Sequence, residues 1–228
     1  MPIDHAHPVS MPGLLAIDTS TDQAGIALAT GSGTAVHSWS AARAQTTTVL
    51  PEIDRLVREI GLQPRDISGL VVATGPGTFT GLRVGLAIAK GIVAATGVPL
   101  VGIPTLDVVF AMHADEEIIA VLPAGRGRVV WQRRGDAPRN STLDELVSAL
   151  KDHPDALLVG ELSPDQANAL TAAGVRLQQE HRDPAVLLSL GAARIEAGDV
   201  DDPVTLQPTY LHGITVNAGP VEDRLRKS

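Results

Sequence analysis

Cysteine is missing from all 228 residues of this sequence. Without thiols the chain forms no disulfide, no Cys-based zinc site and no iron–sulfur cluster, and it has no thiol nucleophile. Aromatic residues are scarce, at two Trp, one Tyr and two Phe, although 44% of the residues are hydrophobic. The apolar volume is therefore almost wholly aliphatic, and the chain is long enough to bury it in one large domain or two small ones.

Positive charge is also in short supply, because 18 Lys and Arg face 26 Asp and Glu, for a net charge of −8. An acidic chain repels phosphate overall, which disfavours autonomous binding of nucleic acid. No uninterrupted apolar run approaches the ~20 residues of a membrane helix, and residues 1–10 have neither a basic start nor an apolar middle. We therefore expect a soluble cytoplasmic protein that does not bind membranes.

Strand-like and helix-like segments alternate along the chain, which predicts an α/β fold. Short apolar runs predict strands at 14–18, 25–29, 34–40, 67–73, 98–103, 117–122, 128–132 and 156–159, the first three forming an antiparallel unit. Apolar residues at three- and four-residue spacings predict helices at 46–60, 82–95, 106–112, 143–150, 164–173 and 185–197, with Ser163 as a helix cap. A break at Pro104 predicts domains at 13–104 and 105–216, between a flexible leader at 1–12 and a flexible tail at 217–228.

Two polar segments follow predicted strands and could hold a phosphate. The first is Asp18, Thr19, Ser20 and Thr21, whose hydroxyls could surround an anion while the carboxylate held Mg²⁺ through water. The second precedes a helix and contains Gly75, Gly77 and Thr78, without the spacing of a P-loop or of a dinucleotide fingerprint. For the first segment an ordinary polar turn is the favoured interpretation. For the second, a tight strand-to-helix turn and a nucleotide or phosphate loop are equally supported, so both interpretations stay open.

The predicted helix at 82–95 has almost no polar face, because Arg83 and Lys90 are its only charged residues. Within it Gly81, Gly85 and Ala89 recur every four residues and form a smooth strip that another helix backbone could approach. Contact with the chain's own sheet would cover one face, and a second face would still need cover. The pattern favours a contact with another molecule.

Two further residue classes carry weaker signals. The seven histidines contain no H-x-x-x-H or H-E-x-x-H pair, so no metal site is predicted. There is no G-x-S-x-G motif to support a serine hydrolase. Arginines cluster at 126, 128, 133 and 134 around Trp131, and on an acidic chain we interpret this cluster as a solvated edge strand.

Five segments together resemble one family. They are LLAIDTST at 14–21, TTTVLPEIDRL at 46–56, ATGPGTFTGLRVGLAIAKGI at 73–92, PLVGIPTLD at 99–107 and PTYL at 208–211. In this combination the chain resembles the bacterial TsaB family, also called YeaZ, and the resemblance spans most of its length. It departs from the family where relatives usually have a His, here Gln45, and at Pro123-Ala124-Gly125, where relatives often have Asp-Ala-Arg.

The resemblance implies the actin-like ATPase fold, related to ribonuclease H, as two tandem domains of mixed sheet flanked by helices. It also implies a non-catalytic scaffold that acts with TsaD and TsaE in threonylcarbamoyl transfer to adenosine 37 of tRNAs reading codons that start with A. On this basis the chain pairs with TsaD, or with a second copy of itself when alone, and touches tRNA only through the complex. It needs no cofactor or metal of its own, although ATP and Mg²⁺ could act in the complex. The implied contact residues lie on two helices: Leu50, Ile53, Gly81, Leu82, Gly85, Leu86, Ala89 and Ile92.

An alternative function is a small-molecule phosphotransferase or ATPase that uses Asp18 and the two loops by itself, because the same fold supports such enzymes. A glycoprotein peptidase, another activity associated with the family, has no support in a chain without a histidine pair or cysteine.

Overall fold

The structure is a computed structural model that describes residues 11–41 and 44–211. It contains two five-stranded mixed sheets flanked by helices, as the resemblance implies. The predicted tail at 217–228 and nearly all of the predicted leader at 1–12 lie outside the described residues.

The first sheet is built from five strands in the order β3-β2-β1-β4-β5. β1, β2 and β3 form the predicted antiparallel unit, whereas β4 runs parallel to β1 and β5 runs parallel to β4. Every residue of β1 and β4 is buried, as expected for central strands covered on both faces. The strands are β1 (Leu14–Asp18), β2 (Gln23–Thr30), β3 (Gly33–Ser40), β4 (Gly69–Gly75) and β5 (Leu100–Pro104).

The second sheet repeats the connections of the first, in the order β10-β9-β6-β7-β8. Its first three strands are antiparallel, β9 is parallel to β6, and β10 is parallel to β9. Both halves therefore place the carboxyl ends of their parallel strands at one edge. The strands are β6 (Ile118–Pro123), β7 (Val129–Arg133), β8 (Arg139–Ser141), β9 (Leu157–Gly160) and β10 (Arg176–Gln179).

The edge strands of the second sheet do not appear among the predicted elements. β8 is three residues long and β10 reads RLQQ, so neither shows an apolar run. Because β8 pairs with β7, the interpretation of the arginine cluster as a solvated edge strand is wrong. Arg128 donates to Asn140 on β8, and Arg134 donates to the carbonyls of Phe110 and His113.

Six α-helices lie within a few residues of their predicted positions, together with a short 3₁₀ turn at Pro64–Asp66. Their starts follow local capping: Thr142 and Ser163 each form a reciprocal capping box, which confirms the predicted Ser163 cap, and Asp183 accepts from the Ala185 amide. The helices are α1 (Gln45–Glu59), α2 (Phe79–Thr96), α3 (Thr105–Met112), α4 (Leu143–Leu150), α5 (Pro164–Ala172) and α6 (Pro184–Glu196).

The last helix of each half covers the sheet of the other half. α1 and α2 pack on one face of the first sheet, and α6, which follows the last strand of the second sheet, packs on the opposite face. α3 follows the last strand of the first sheet and places Leu106, Val109 and Phe110 in a core with the second sheet. α4 and α5 cover the remaining face. The two halves thus share their inner layers.

α2 is apolar enough to need attention as a membrane segment. It has 18 residues with a mean hydropathy of 1.3, which satisfies the length and composition of a spanning helix even though Arg83 and Lys90 interrupt its apolar run. Six of its residues are nevertheless buried within the fold: Gly81, Leu82, Gly85, Leu86, Ala89 and Val93. A helix that packs one face in a core and keeps a second face apolar reaches this hydropathy without a bilayer.

The contact between α6 and β4 is close enough to test. A Cβ added at Gly191 would lie 2.2 Å from Cγ2 and 2.8 Å from Cβ of Val71, which is fully buried. We expect Gly191→Ala to lower the free energy of unfolding by about 1–2 kcal/mol, because overpacking outweighs the gain in helix propensity. In chemical denaturation, the double variant Gly191→Ala with Val71→Ala should lose less than the sum of the single losses. Additive losses would contradict a direct contact.

Candidate functional site

The two polar segments that could form a phosphate loop meet at the carboxyl ends of neighbouring parallel strands. Asp18 ends β1, and Gly75 ends β4 beside it. The Thr78 amide donates to the Ser20 carbonyl at 2.6 Å, and the Thr19 hydroxyl donates to the Gly81 carbonyl at 2.6 Å. The fold therefore brings together the residues expected in the loop: Asp18, Thr19, Ser20, Thr21, Gly75, Gly77 and Thr78.

These segments are packed against each other rather than around an empty site. A Cβ added at Gly77 would lie 2.3 Å from the Ser20 carbonyl oxygen, and one added at Gly81 would lie 2.0 Å from that of Thr19. Thr19, Ser20 and Thr21 are fully buried. The glycines thus permit close contact between two turns, and the hydroxyl groups between them are not accessible to a phosphate.

Asp18 is held by an arginine from the second half of the chain. Arg182 Nε donates to Asp18 Oδ2 at 2.7 Å, while Nη1 donates to Glu161 Oε1 at 2.5 Å. Thr21 links the two halves further, since its hydroxyl donates to Glu161 Oε2 at 2.5 Å and lies 3.1 Å from Arg182 Nη2. The amide and hydroxyl of Ser20 both donate to Asp18 Oδ1. All five residues are buried, so the cluster is an interior ion-pair network.

The charge of Arg182 decides the protonation of this cluster. Burial by itself raises the pKa of Asp18, but the adjacent guanidinium charge and the hydrogen bonds from Arg182 and Ser20 outweigh burial, so the pKa lies below its ordinary value. For Arg182, burial acts to lower the pKa, and the charges of Asp18 and Glu161 outweigh it, so the pKa is raised. Asp18 is therefore an ionised carboxylate already paired with a cation, which leaves it poorly placed to hold Mg²⁺.

Gln45, which stands where family members usually have a histidine, supports the same region. It is buried at the start of α1, and its Nε2 lies 3.4 Å from the Thr21 carbonyl, to which it donates. Its role in this structure is to bind the turn that contains Thr21.

The sequence offered little sign of Arg182 and Glu161. They lie 164 and 140 residues from the groups they bind, Asp18 and Thr21. The available signal was positional, because Glu161 follows the predicted strand at 156–159, and polar residues at strand ends gather at one edge of a sheet. Among the described residues, no group of three His, Cys, Asp or Glu is placed to hold a metal ion.

Most of the residues expected at a partner interface are buried within the chain's own core. A Cβ added at Gly85 would lie 2.4 Å from the Thr19 hydroxyl, which shows that the glycine strip contacts the turn after β1. The small residues are therefore required by close packing on the chain's own sheet. The buried residues of the expected set are Ile53, Gly81, Leu82, Gly85, Leu86 and Ala89.

Another face of the same helix remains open. The exposed apolar residues and glycine in the middle and last turns of α2 are Ala87, Gly91, Ala94 and Ala95, beside the half-buried apolar residues Val84, Ile88 and Ile92. Among residues 11–41 and 44–211, no atom outside the helix lies within 4 Å of a Cβ added at Gly91. On the adjacent helix α1, Leu50 is 56% exposed. We call this set the outer face; it keeps Leu50 and Ile92 from the expected contact residues.

Comparison with known proteins matches most of the chain. The family model described as "TsaD: tRNA N6-adenosine threonylcarbamoyltransferase" matches residues 27–192. A Bacillus subtilis relative named "tRNA threonylcarbamoyladenosine biosynthesis protein TsaB" is 32% identical over 92% of this chain and 99% of its own length. The chain belongs to the TsaB (YeaZ) family. The TsaB protein of Escherichia coli is 30% identical over 52% of this chain, and that match spans about half of the relative, 53% of its length.

A solved TsaB-family fold also matches. The Pseudomonas aeruginosa structure described as an uncharacterized protein with similarity to peptidase YeaZ superposes with a TM-score of 0.71 at 21% identity, covering 89% of this chain and all of that one. At this identity the likeness concerns the fold alone, and it agrees with the predicted α/β architecture of two mixed sheets flanked by helices.

Removal of the buried arginine tests the network. We expect Arg182→Met to lower the free energy of unfolding by about 3–5 kcal/mol, because it leaves two buried carboxylates without their cation. Arg194→Met is the matched control: Arg194 also pairs with two carboxylates, Asp199 and Asp201, but near the surface, and its loss should cost about 1 kcal/mol. Equal losses in urea unfolding would contradict the burial argument.

Acid titration tests the protonation of Asp18. A folded-state pKa below the unfolded value of about 3.9 contributes stability that is complete above pH ~5 and is lost as the pH falls through the lowered pKa. In urea unfolding between about pH 5 and pH 2, we expect Asp18→Asn to reduce the slope of unfolding free energy against pH by up to ~1.4 kcal/mol per pH unit. An unchanged slope would show that Asp18 titrates normally.

Proposed function

We propose that this chain is a non-catalytic, cytoplasmic accessory subunit of the assembly that transfers threonylcarbamoyl to adenosine 37 of tRNAs reading codons that start with A. Its family membership supports this, because the Bacillus subtilis and Escherichia coli relatives are named for threonylcarbamoyladenosine biosynthesis. The match to the TsaD family model adds that the chain shares a sequence pattern with the transferase itself.

The observation that carries the proposal is the outer face. An 18-residue helix that buries one face in the core and leaves alanines and a glycine exposed on another has little reason to be apolar there unless a partner covers it. The small side chains allow a second helix to approach closely. Asp54 and Arg58, which form an ion pair on α1, follow the exposed Leu50 by one and two turns, which suits the polar rim of an interface.

The partner we propose is TsaD, with a second copy of this chain occupying the same face when TsaD is absent. Two chains that share the TsaD pattern can present equivalent helix pairs to each other, and both pairings then use one geometry. TsaE would join the assembly, and ATP and Mg²⁺ would act there without a cofactor site in this chain.

The alternative of an independent phosphotransferase is disfavoured by the closed loops. Asp18 is paired with Arg182, and the turn at Thr19–Thr21 is buried against Gly77 and Gly81. A nucleotide at this position would have to separate both contacts and leave the arginine unpaired. An accessory role needs no such rearrangement.

Charge placed on the outer face tests the scaffold role. We expect Ala87→Arg to weaken the heterodimer with TsaD at least about tenfold, because a guanidinium in a close helix contact is desolvated without a partner. Ala169→Arg, at an exposed alanine of α5, is the matched control and should pair normally. Size-exclusion chromatography and calorimetry of the purified pair measure both variants. Normal pairing by Ala87→Arg would exclude the outer face.

Reconstitution tests the function itself. TsaD, TsaE and a threonylcarbamoyl-AMP synthase should modify unmodified tRNA only when this chain is added, and Ala87→Arg should reduce the yield in proportion to its loss of pairing. Modification at the same rate without the chain would contradict an accessory role.

A further inference from the structure

A second feature lies between the two halves, outside the closed loops. A cavity of about 630 Å³ opens there, lined by the start of α2, the hairpin between β6 and β7, and the end of the described chain. Its polar and aromatic lining comprises Thr78, Phe79, Arg126, Arg128, Asn140 and Tyr210. The cavity is large enough for a nucleotide-sized group.

Its charge is opposite to that of the protein. The chain carries a net charge of −8, yet two arginines and no carboxylate line the cavity along the described part of the chain. Arg128 is held by Asn140, with Nε donating to Oδ1 at 2.7 Å, and its Nη2 lies 3.5 Å from Glu145 Oε2, so its charge is partly neutralised. Arg126 is exposed, and within residues 11–41 and 44–211 its side chain has no hydrogen bond or ion pair. A cation without an internal partner in a cavity without acids favours an anionic ligand.

The backbone at Arg126 is unusual. It has φ 51°, between Gly125 and Gly127 at φ 73°, and the turn is closed by the Arg128 amide donating to the Gly125 carbonyl at 3.0 Å. Glycine would adopt this left-handed conformation without strain, whereas arginine adopts it at a cost. Such strain is concentrated at functional sites, and here it holds the guanidinium at the cavity.

The opposite wall is aromatic. Phe79 is 51% exposed, and its ring lies 5.1 Å from that of Tyr210. The Arg83 guanidinium stacks 3.6 Å over the Phe79 ring, and its Nε donates to the Tyr210 hydroxyl at 2.9 Å. An exposed ring fixed in place by an arginine and a second ring is the kind of platform on which bases stack. Two of the five aromatic residues of the chain, Phe79 and Tyr210, thus lie at this cavity.

The start of α2 adds a third source of positive potential. Thr78 is its N-cap residue, but the Thr78 hydroxyl accepts no hydrogen bond from the first turn and has no partner among the described residues. The first amides of the helix therefore lack a side-chain cap, and both Thr78 and Phe79 line the cavity. The helix dipole favours an anion at this end.

We propose that this cavity binds an unpaired nucleotide of RNA, with the base stacked on Phe79 and a phosphate bound by Arg126 and the start of α2. The inference rests on the proposed function, since that function brings tRNA to the assembly. A magnesium-bound mononucleotide fits less well, because Asp18 is already paired with Arg182. Unpaired RNA requires stacking and a phosphate contact without a metal.

Affinity of the assembled chain, TsaD and TsaE for unmodified tRNA tests the proposal. Arg126→Gly removes the guanidinium without backbone strain, and we expect binding to weaken at least roughly fivefold. The slope of log affinity against log salt concentration should also decrease in magnitude by about one. Phe79→Ala should weaken binding by about 5- to 100-fold. Arg65→Ala is the control, because Arg65 is an exposed arginine just before the opposite end of β4 and should leave binding unchanged.

Photo-crosslinking of the wild-type assembly to thiouridine-containing tRNA keeps the test independent of the variants. Crosslinks at Phe79 or Tyr210 are expected; crosslinks confined to other residues, or unchanged affinity in both cavity variants, overturn the proposal. AMP that competes for the cavity only when Mg²⁺ is present would point to a magnesium-bound mononucleotide and also overturns the proposal. If the wild-type chain does not pair with TsaD, the scaffold role fails, and the crosslink on the isolated chain then decides the cavity alone.

Discussion

The ion pairs of Arg182 hold together the edge at which the two sheets meet. One guanidinium neutralises Asp18 at the end of β1 and Glu161 after β9, and hydroxyl groups of Ser20 and Thr21 donate to the remaining carboxylate oxygens. Because α6 begins at Pro184, directly after this arginine, the same contact positions the helix that covers the first sheet. The hydrogen bonds and opposite charges of these partners offset the desolvation cost of burying the guanidinium.

This use of Asp18 shapes the rest of the molecule. A carboxylate and two turns at a strand edge are suited to binding phosphate, but here the turns bind each other and the carboxylate binds an arginine. The surfaces that a partner or ligand could contact therefore lie elsewhere, at the outer face and at the cavity beside Arg126. One is apolar and the other cationic and aromatic, so they suit different kinds of molecule.

Local features of the fold were predictable, because apolar spacing and caps report directly on α1, α4 and the strand β1. The edge strands β8 and β10 were not, since polar residues at a sheet margin have no apolar period. The contacts of the candidate site also divide into one that the sequence predicts and one that it does not. Proximity of Asp18 to Gly77 follows from parallel strand ends, whereas pairing with Arg182 depends on how the halves dock. The strip at Gly85 shows the limit: small residues indicate close approach, and only the structure identifies the approaching group as Thr19.

The exchange of inner helices has a consequence for synthesis. The strands and the outer helices α1 and α2 of the first sheet precede residue 105, but the helix that covers its other face, α6, comes at Pro184–Glu196. A nascent chain that has left the ribosome only as far as β9 holds an apolar sheet face with no permanent cover. Folding of the first half is thus completed by α6, which is synthesised only after the whole second sheet, so a chain truncated before Pro184 would leave this sheet face exposed.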